Sequence, residues 1–105
     1  MHDVTFKCPT TGRSERTGRT FNLGRLLITA SALDEVGYDE FFAGLQRHVA
    51  GDWGEVSAED QEANERALEL GDRLLSAYTT KDGVRFWIIT EADRSSTIAL
   101  LPEEY

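Results

Sequence analysis

The chain has 105 residues, 40% hydrophobic and 29% charged, and its 19 acids against 11 bases leave a net charge of −8. That is one domain able to bury a single core, with no apolar run near the roughly 18 residues of a membrane-spanning helix. A field of this sign repels phosphate backbones, which excludes general nucleic-acid binding except at a small local basic site and suits a protein partner instead.

Lys7, Arg13, Arg16 and Arg19 stand in a Thr-, Gly- and Ser-rich start without apolar periodicity, so residues 1–20 read as a flexible basic arm and 21–105 as a single domain. Cys8 is the only cysteine, so no intramolecular disulfide can form, and the start lacks the apolar centre of a signal peptide. A reducing, cytoplasmic setting is the expectation. "KCPTTG" has the look of half a zinc knuckle, but Cys8 and His2 fall two short of the four ligands a structural zinc site needs. No metal and no cofactor are expected.

"FNLGRLLIT" predicts a short strand, and "SALDEVG" one or two helical turns capped by Ser31 and closed by Gly37. "YDEFFAGLQRHVAG" has Phe41, Phe42, Leu45 and Val49 at helical spacing, with Asp39 to start it and Gly51 to end it. "SAEDQEANERALELG" begins on Ser57, carries acids in its first turn and ends at Gly71. Its apolar stripe is thin: Ala63, Ala67, Leu68 and Leu70. Three strands finish the chain. "RLLSAYTTK" and "VRFWIITE" flank Asp82-Gly83, a pair suited to a two-residue hairpin turn. That turn sets Thr79 against Phe86, Ala77 against Ile88 and Leu75 against Thr90 on an apolar face. Tyr78, Trp87, Ile89, Arg85 and Glu91 fall on the other, extended by Ser96, Ile98 and Leu100. The expected fold is therefore α+β: a short N-terminal strand, two to three helices, then a three-stranded antiparallel meander with helices packed on the sheet.

Two features carry chemistry. In "EADRSS", Asp93 and Ser95 serve a turn, which leaves Arg94 beside Ser96 and Thr97 as a guanidinium and two hydroxyls suited to an anion. His48, on the edge of a helix stripe, is the one central residue that titrates near neutrality. No Gly-rich phosphate loop followed by Lys and no nucleophilic-serine elbow is present.

At "RHVAGDWGE", "NERALELGDRLLSAY" and "FWIITEADRSSTIALLPEEY" the chain resembles a family of short, uncharacterised bacterial proteins encoded on plasmids and other mobile elements. The likeness spans residues 21 to 105. It implies a mobile-element setting and no catalytic residue. A second likeness is architectural: strand, helices, then meander resembles the RelE-like and barnase-like ribonucleases, which cut RNA without metal. On that likeness His48, Arg85, Glu91 and Arg94 would be catalytic. The residues themselves favour a protein contact made by Tyr78, Arg85, Trp87, Glu91 and Arg94, with aromatic anchors flanked by charge. A host-defence component, of restriction or CRISPR type, is the sharpest partner; a homodimer through the same face is a further one.

Overall fold

The computed structural model describes residues 2–4, as backbone, and 21–105. Cys8, the side chain of His2 and the remainder of the basic arm lie outside the described residues. The elements are β1 (His2–Val4), β2 (Arg25–Ile28), α1 (Ala30–Val49), α2 (Ala58–Leu70), β3 (Leu74–Thr79), β4 (Arg85–Thr90), β5 (Ser96–Leu100) and a 3₁₀ turn (Pro102–Glu104). The class is α+β with two helices and a mixed sheet in the order β1-β2-β5-β4-β3. β3, β4 and β5 form the antiparallel meander, and β2 docks parallel to β5, pairing Leu26 with Thr97 and Ile28 with Ala99. β1 adds an antiparallel edge to β2, inside the stretch expected to be an arm.

The two helical stretches around Gly37 join into α1, kinked where Gly37 takes φ 86°, ψ 161°. Thr29 rather than Ser31 caps it, accepting from the Ala32 amide at 3.1 Å. Ser57 caps α2 by accepting from the Asp60 amide, and Gly71 ends it in a left-handed conformation, as the sequence suggests. The stripe of α2 differs from expectation. Ala63 and Leu70 face solvent, and the buried residues are Ala67 and Asn64.

The first hairpin departs from the two-residue turn. Gly83 donates to Thr80 O and Thr80 donates to Val84 O, so the loop is Lys81–Gly83 with Gly83 at φ 89°. The Thr80 hydroxyl holds this wider loop by accepting from the Asp82 and Val84 amides. The register moves by one: Tyr78 pairs Phe86, Ser76 pairs Ile88 and Leu74 pairs Thr90. A one-residue slip sends every β3 side chain to the opposite face. Leu74, Ser76 and Tyr78 therefore point with Phe86, Ile88 and Thr90 into the core under α1, while Leu75, Ala77 and Thr79 join Trp87 and Ile89 outside. Hydrophobicity alone does not choose, because each face of β3 carries two apolar side chains and one hydroxyl.

The core lies between α1 and the inner face of the sheet, where Leu26, Ile28, Phe41, Leu45, Phe86 and Ile88 are buried. α2 extends it at the β3 end through Trp53, Ala67 and Leu74. β3 would be an open edge, a template for unwanted strand pairing. It is sealed twice. The Asn64 amide accepts from Leu75 N and donates to Leu75 O at 3.1 and 2.7 Å. Beside it, Ala77 donates to Trp53 O and accepts from Glu55 N.

That second seal requires glycine at position 54. Its φ is 77°, and a Cβ there would stand 2.1 Å from Ala77 O. Gly71 has a similar φ of 78° with nothing within 4 Å of its would-be Cβ. Gly54→Ala is expected to lower unfolding free energy by about 3 kcal/mol, and Gly71→Ala by about 1 kcal/mol, the conformational term alone. Urea denaturation of the two variants measures the difference.

Candidate functional site

Among the described residues, the candidates for contact or chemistry lie at three places: Arg85, Trp87 and Glu91 on the outer sheet face, Arg94 in the turn after β4, and His48 in the buried centre beneath α1.

On the outer face, Trp87 is flanked along β4 by Arg85 and Ile89, and Glu91 follows the strand end. The Tyr105 ring stands edge-on to Trp87 with centroids 5.4 Å apart, and the Tyr105 hydroxyl accepts from Arg73 at 2.9 Å. Arg85 faces Glu55 at 3.9 Å and Arg73 faces Glu91 at 3.8 Å, with all four side chains about half exposed. At such exposure these pairs add little to stability. Tyr78, expected here, is on the inner face because of the hairpin register. It is buried, donates to Asp52 O at 2.6 Å and lies under the Arg47 guanidinium, 4.6 Å from its ring centre. Burial raises its pKa.

Arg94 closes the turn after β4. It is the one non-glycine residue at positive φ among the described residues, at 61°. Its Nη1 donates to the carbonyls of Asp72, Glu91 and Ala92 and its Nη2 to that of Ala67, at 2.6 to 3.1 Å. α2 has no basic residue in its last turn. Arg94 supplies that charge from across the fold, where the unsatisfied carbonyls of a helix C-terminus attract a cation. It also lies 5.8 Å above the Phe21 ring. The side chain that sequence reasoning offered to an anion is spent on backbone oxygens. Asp93 serves the same turn by accepting from the Ser95 amide, and the Ser95 hydroxyl first, with that amide second, holds its carboxyl below the usual range.

The buried centre belongs to His48, which is 0% exposed. Its Nδ1 bonds Ser76 Oγ, and its Nε2 lies 2.9 Å from Thr90 Oγ1. Thr90 Oγ1 is 2.7 Å from Thr97 Oγ1, which donates to Leu23 O at 2.7 Å. A carbonyl can only accept, so the direction of every proton follows from that end. Thr97 gives its proton to Leu23 and must accept from Thr90. Thr90 must then accept from Nε2–H, which leaves Nδ1 to accept from the Ser76 hydroxyl. The imidazole is neutral in its Nε2–H form. Phe21 and Trp53 close over it edge-on at 5.3 and 5.6 Å. Burial first, and the Arg94 charge second, lower its pKa from 6.5 to about 3. Trp53 is itself fixed by donating to Glu65 at 3.0 Å.

These placements separate the residues that a ribonuclease would need together. His48 is enclosed on the inner face with both nitrogens engaged, whereas a general acid or base must touch the proton it moves. Arg85 and Glu91 are on the outer face, six residues apart along β4, and Arg94 faces α2. Sequence reasoning missed Asn64, whose pattern position is that of any polar helix residue, and Thr90, and it offered the Thr97 hydroxyl to an anion, whereas that hydroxyl is buried between Thr90 and Leu23 O. Comparison with protein-family models, with curated proteins and with solved structures finds no match to this chain.

Two expectations follow for stability. The unfolded chain protonates His48 below about pH 6.5, but the folded chain keeps it neutral down to about 3. Its contribution is therefore intact above about pH 6.5 and is lost as pH falls toward 3, by up to about 1.4 kcal/mol per pH unit. His48→Ala should cost about 3 kcal/mol or more at pH 7.5, through a cavity and orphaned hydroxyls, and should remove that slope between pH 6.5 and 5 in urea titrations. Arg94→Ala should cost about 2 kcal/mol, with Arg94→Gly about 1 kcal/mol less harmful because glycine accepts the left-handed backbone without strain. Denaturation midpoints of the two variants test both terms.

Proposed function

We propose that this is a small acidic accessory protein that acts by protein–protein contact through the outer face of its sheet. The observation that carries this reading is the layering. Both helices pack on one side, and on the other Tyr105, bonded to Arg73, stands edge-on to the partly buried Trp87, with Ala77, Ile89 and Leu100 buried around it. A large aromatic at the centre of an apolar strip, rimmed by Arg85, Glu91, Arg73 and Glu55, has the composition of an interface centre with a charged rim. The separation of His48 from Arg85, Glu91 and Arg94 favours contact over catalysis.

In the mobile-element setting implied by the sequence resemblance, the target class is a component of host defence, of restriction or CRISPR type. The net charge of −8 suits a basic target surface and speeds encounter with it. Of the five residues expected to make the contact, Arg85, Trp87 and Glu91 hold that role here. Tyr78 and Arg94 support the fold beneath it.

The test is affinity capture from host lysate, followed by binding measurements with the captured component. Trp87→Ala, checked for folding by circular dichroism, should weaken binding at least tenfold. Arg85→Ala should act mainly on association rate and its salt dependence. Unchanged binding by Trp87→Ala would remove this reading.

A further inference from the structure

Resting on the reading of the outer face as a contact surface, we infer that the 3₁₀ turn and Tyr105 form a strap over Trp87, closed in this structure and displaced when the partner binds.

The attachment of this segment changes abruptly at Leu101. Leu101 is 7% exposed and belongs to the core beneath α1, and Leu100 before it, at the end of β5, is as deeply buried. From Pro102 onward no residue is buried, and Tyr105 is 68% exposed. What holds the segment is polar and lies at the surface. Glu104 accepts from the Thr29 hydroxyl at 2.7 Å and from the Leu101 amide at 2.9 Å. The Tyr105 hydroxyl accepts from Arg73 at 2.9 Å. Exposed bonds of this kind exchange with water at little net change in free energy. A segment with few buried apolar contacts also opens far more readily than the domain unfolds. Leu101 is thus a fixed pivot, and residues 102–105 can leave without disturbing the core.

Position makes this segment a strap and not a loose tail. The Tyr105 ring stands against the aromatic anchor of the proposed contact, and its tether Arg73 also faces Glu91 in the charged rim. A partner side chain seated on Trp87 must take the space of the Tyr105 ring. A partner carboxylate on Arg73 would replace the bond that the ring gives up. Closure also accounts for the state of the free protein. Ala77, Ile89 and Leu100 around Trp87 are buried within the single chain, so no broad apolar strip is displayed before the partner arrives. The affinity seen for a partner is then reduced by the fraction of chains whose strap is closed.

Acrylamide quenching of tryptophan fluorescence reads the strap without a partner, because Trp53 is only 4% exposed and the partly buried Trp87 dominates the response. Glu104→Ala with Arg73→Ala removes the tethers and keeps the Tyr105 ring. The quenching constant should rise about twofold, with the thermal melt close to wild type because the tethers are exposed. Glu104→Ala alone changes no rim residue and makes the chain less acidic. It should nevertheless tighten binding to the partner captured from lysate by about three- to tenfold, as the closed fraction falls. Unchanged quenching in the double variant overturns the inference. Raised quenching with weaker binding by Glu104→Ala also overturns it, making Tyr105 part of the contact, and leaves the contact reading standing. A captured partner indifferent to Trp87→Ala, or no captured partner, removes the contact reading and the strap with it.

Discussion

The fold depends on one chain of hydrogen bonds that runs in a single direction. It starts at the Ser76 hydroxyl, passes through the His48 ring, Thr90 and Thr97, and ends on the Leu23 carbonyl. It ties α1 to β3, β4, β5 and the segment entering β2. A buried polar group is expensive unless paired, so each member requires the next. This explains a choice that hydrophobicity leaves open. With its two faces nearly equal in apolar content, β3 is held in register by the need to bring Ser76 under His48. Tyr78 follows Ser76 inward, and Ala77 and Leu75 are sent outside to make room for Trp87 and Ile89 as neighbours.

Arg94 carries out the corresponding task at the rim. Its backbone occupies a conformation that costs about 1–2 kcal/mol for a side-chain-bearing residue, where the other hairpin uses Gly83. The strain is offset by four charge-assisted bonds to carbonyls, two of them at the end of α2. Without that cation the C-terminus of α2 would have no positive charge near it within its own last turn. The polar interruption between β4 and β5 is thus a clamp that fixes one helix against the sheet.

Much of this was legible in the sequence. The helix caps at Ser57 and Gly71, the strands β3 to β5 and the inward alternation of Phe86, Ile88 and Thr90 follow from local chemistry and period. The hairpin register was not, because Asp82-Gly83 also fits the wider loop, and the Thr80 hydroxyl that favours it acts through backbone amides no pattern displays. Asn64, Thr90 and Thr97 were invisible as a group, since their roles arise only when distant segments meet. The basic turn residue Arg94 was visible as a candidate but not as a clamp; its partners are carbonyls, which every residue has.

The parallel pairing of β2 with β5 has a consequence for how the protein folds. Arg25 pairs Ser96 and Ile28 pairs Ala99, so a central strand pair joins opposite ends of the domain. Closing so long a loop is entropically costly and slows folding. β5 also comes after β2, β3 and β4 in chain order. Until it joins, β2 has no place in the sheet and the Thr90 hydroxyl lacks Thr97. The α1 helix and the β3–β4 hairpin rest on local contacts, but the cooperative domain exists only once β5 has joined β2 and β4. The decisive step of folding is therefore a non-local closure, and until it occurs the apolar side chains of β2 lack their cover from β5.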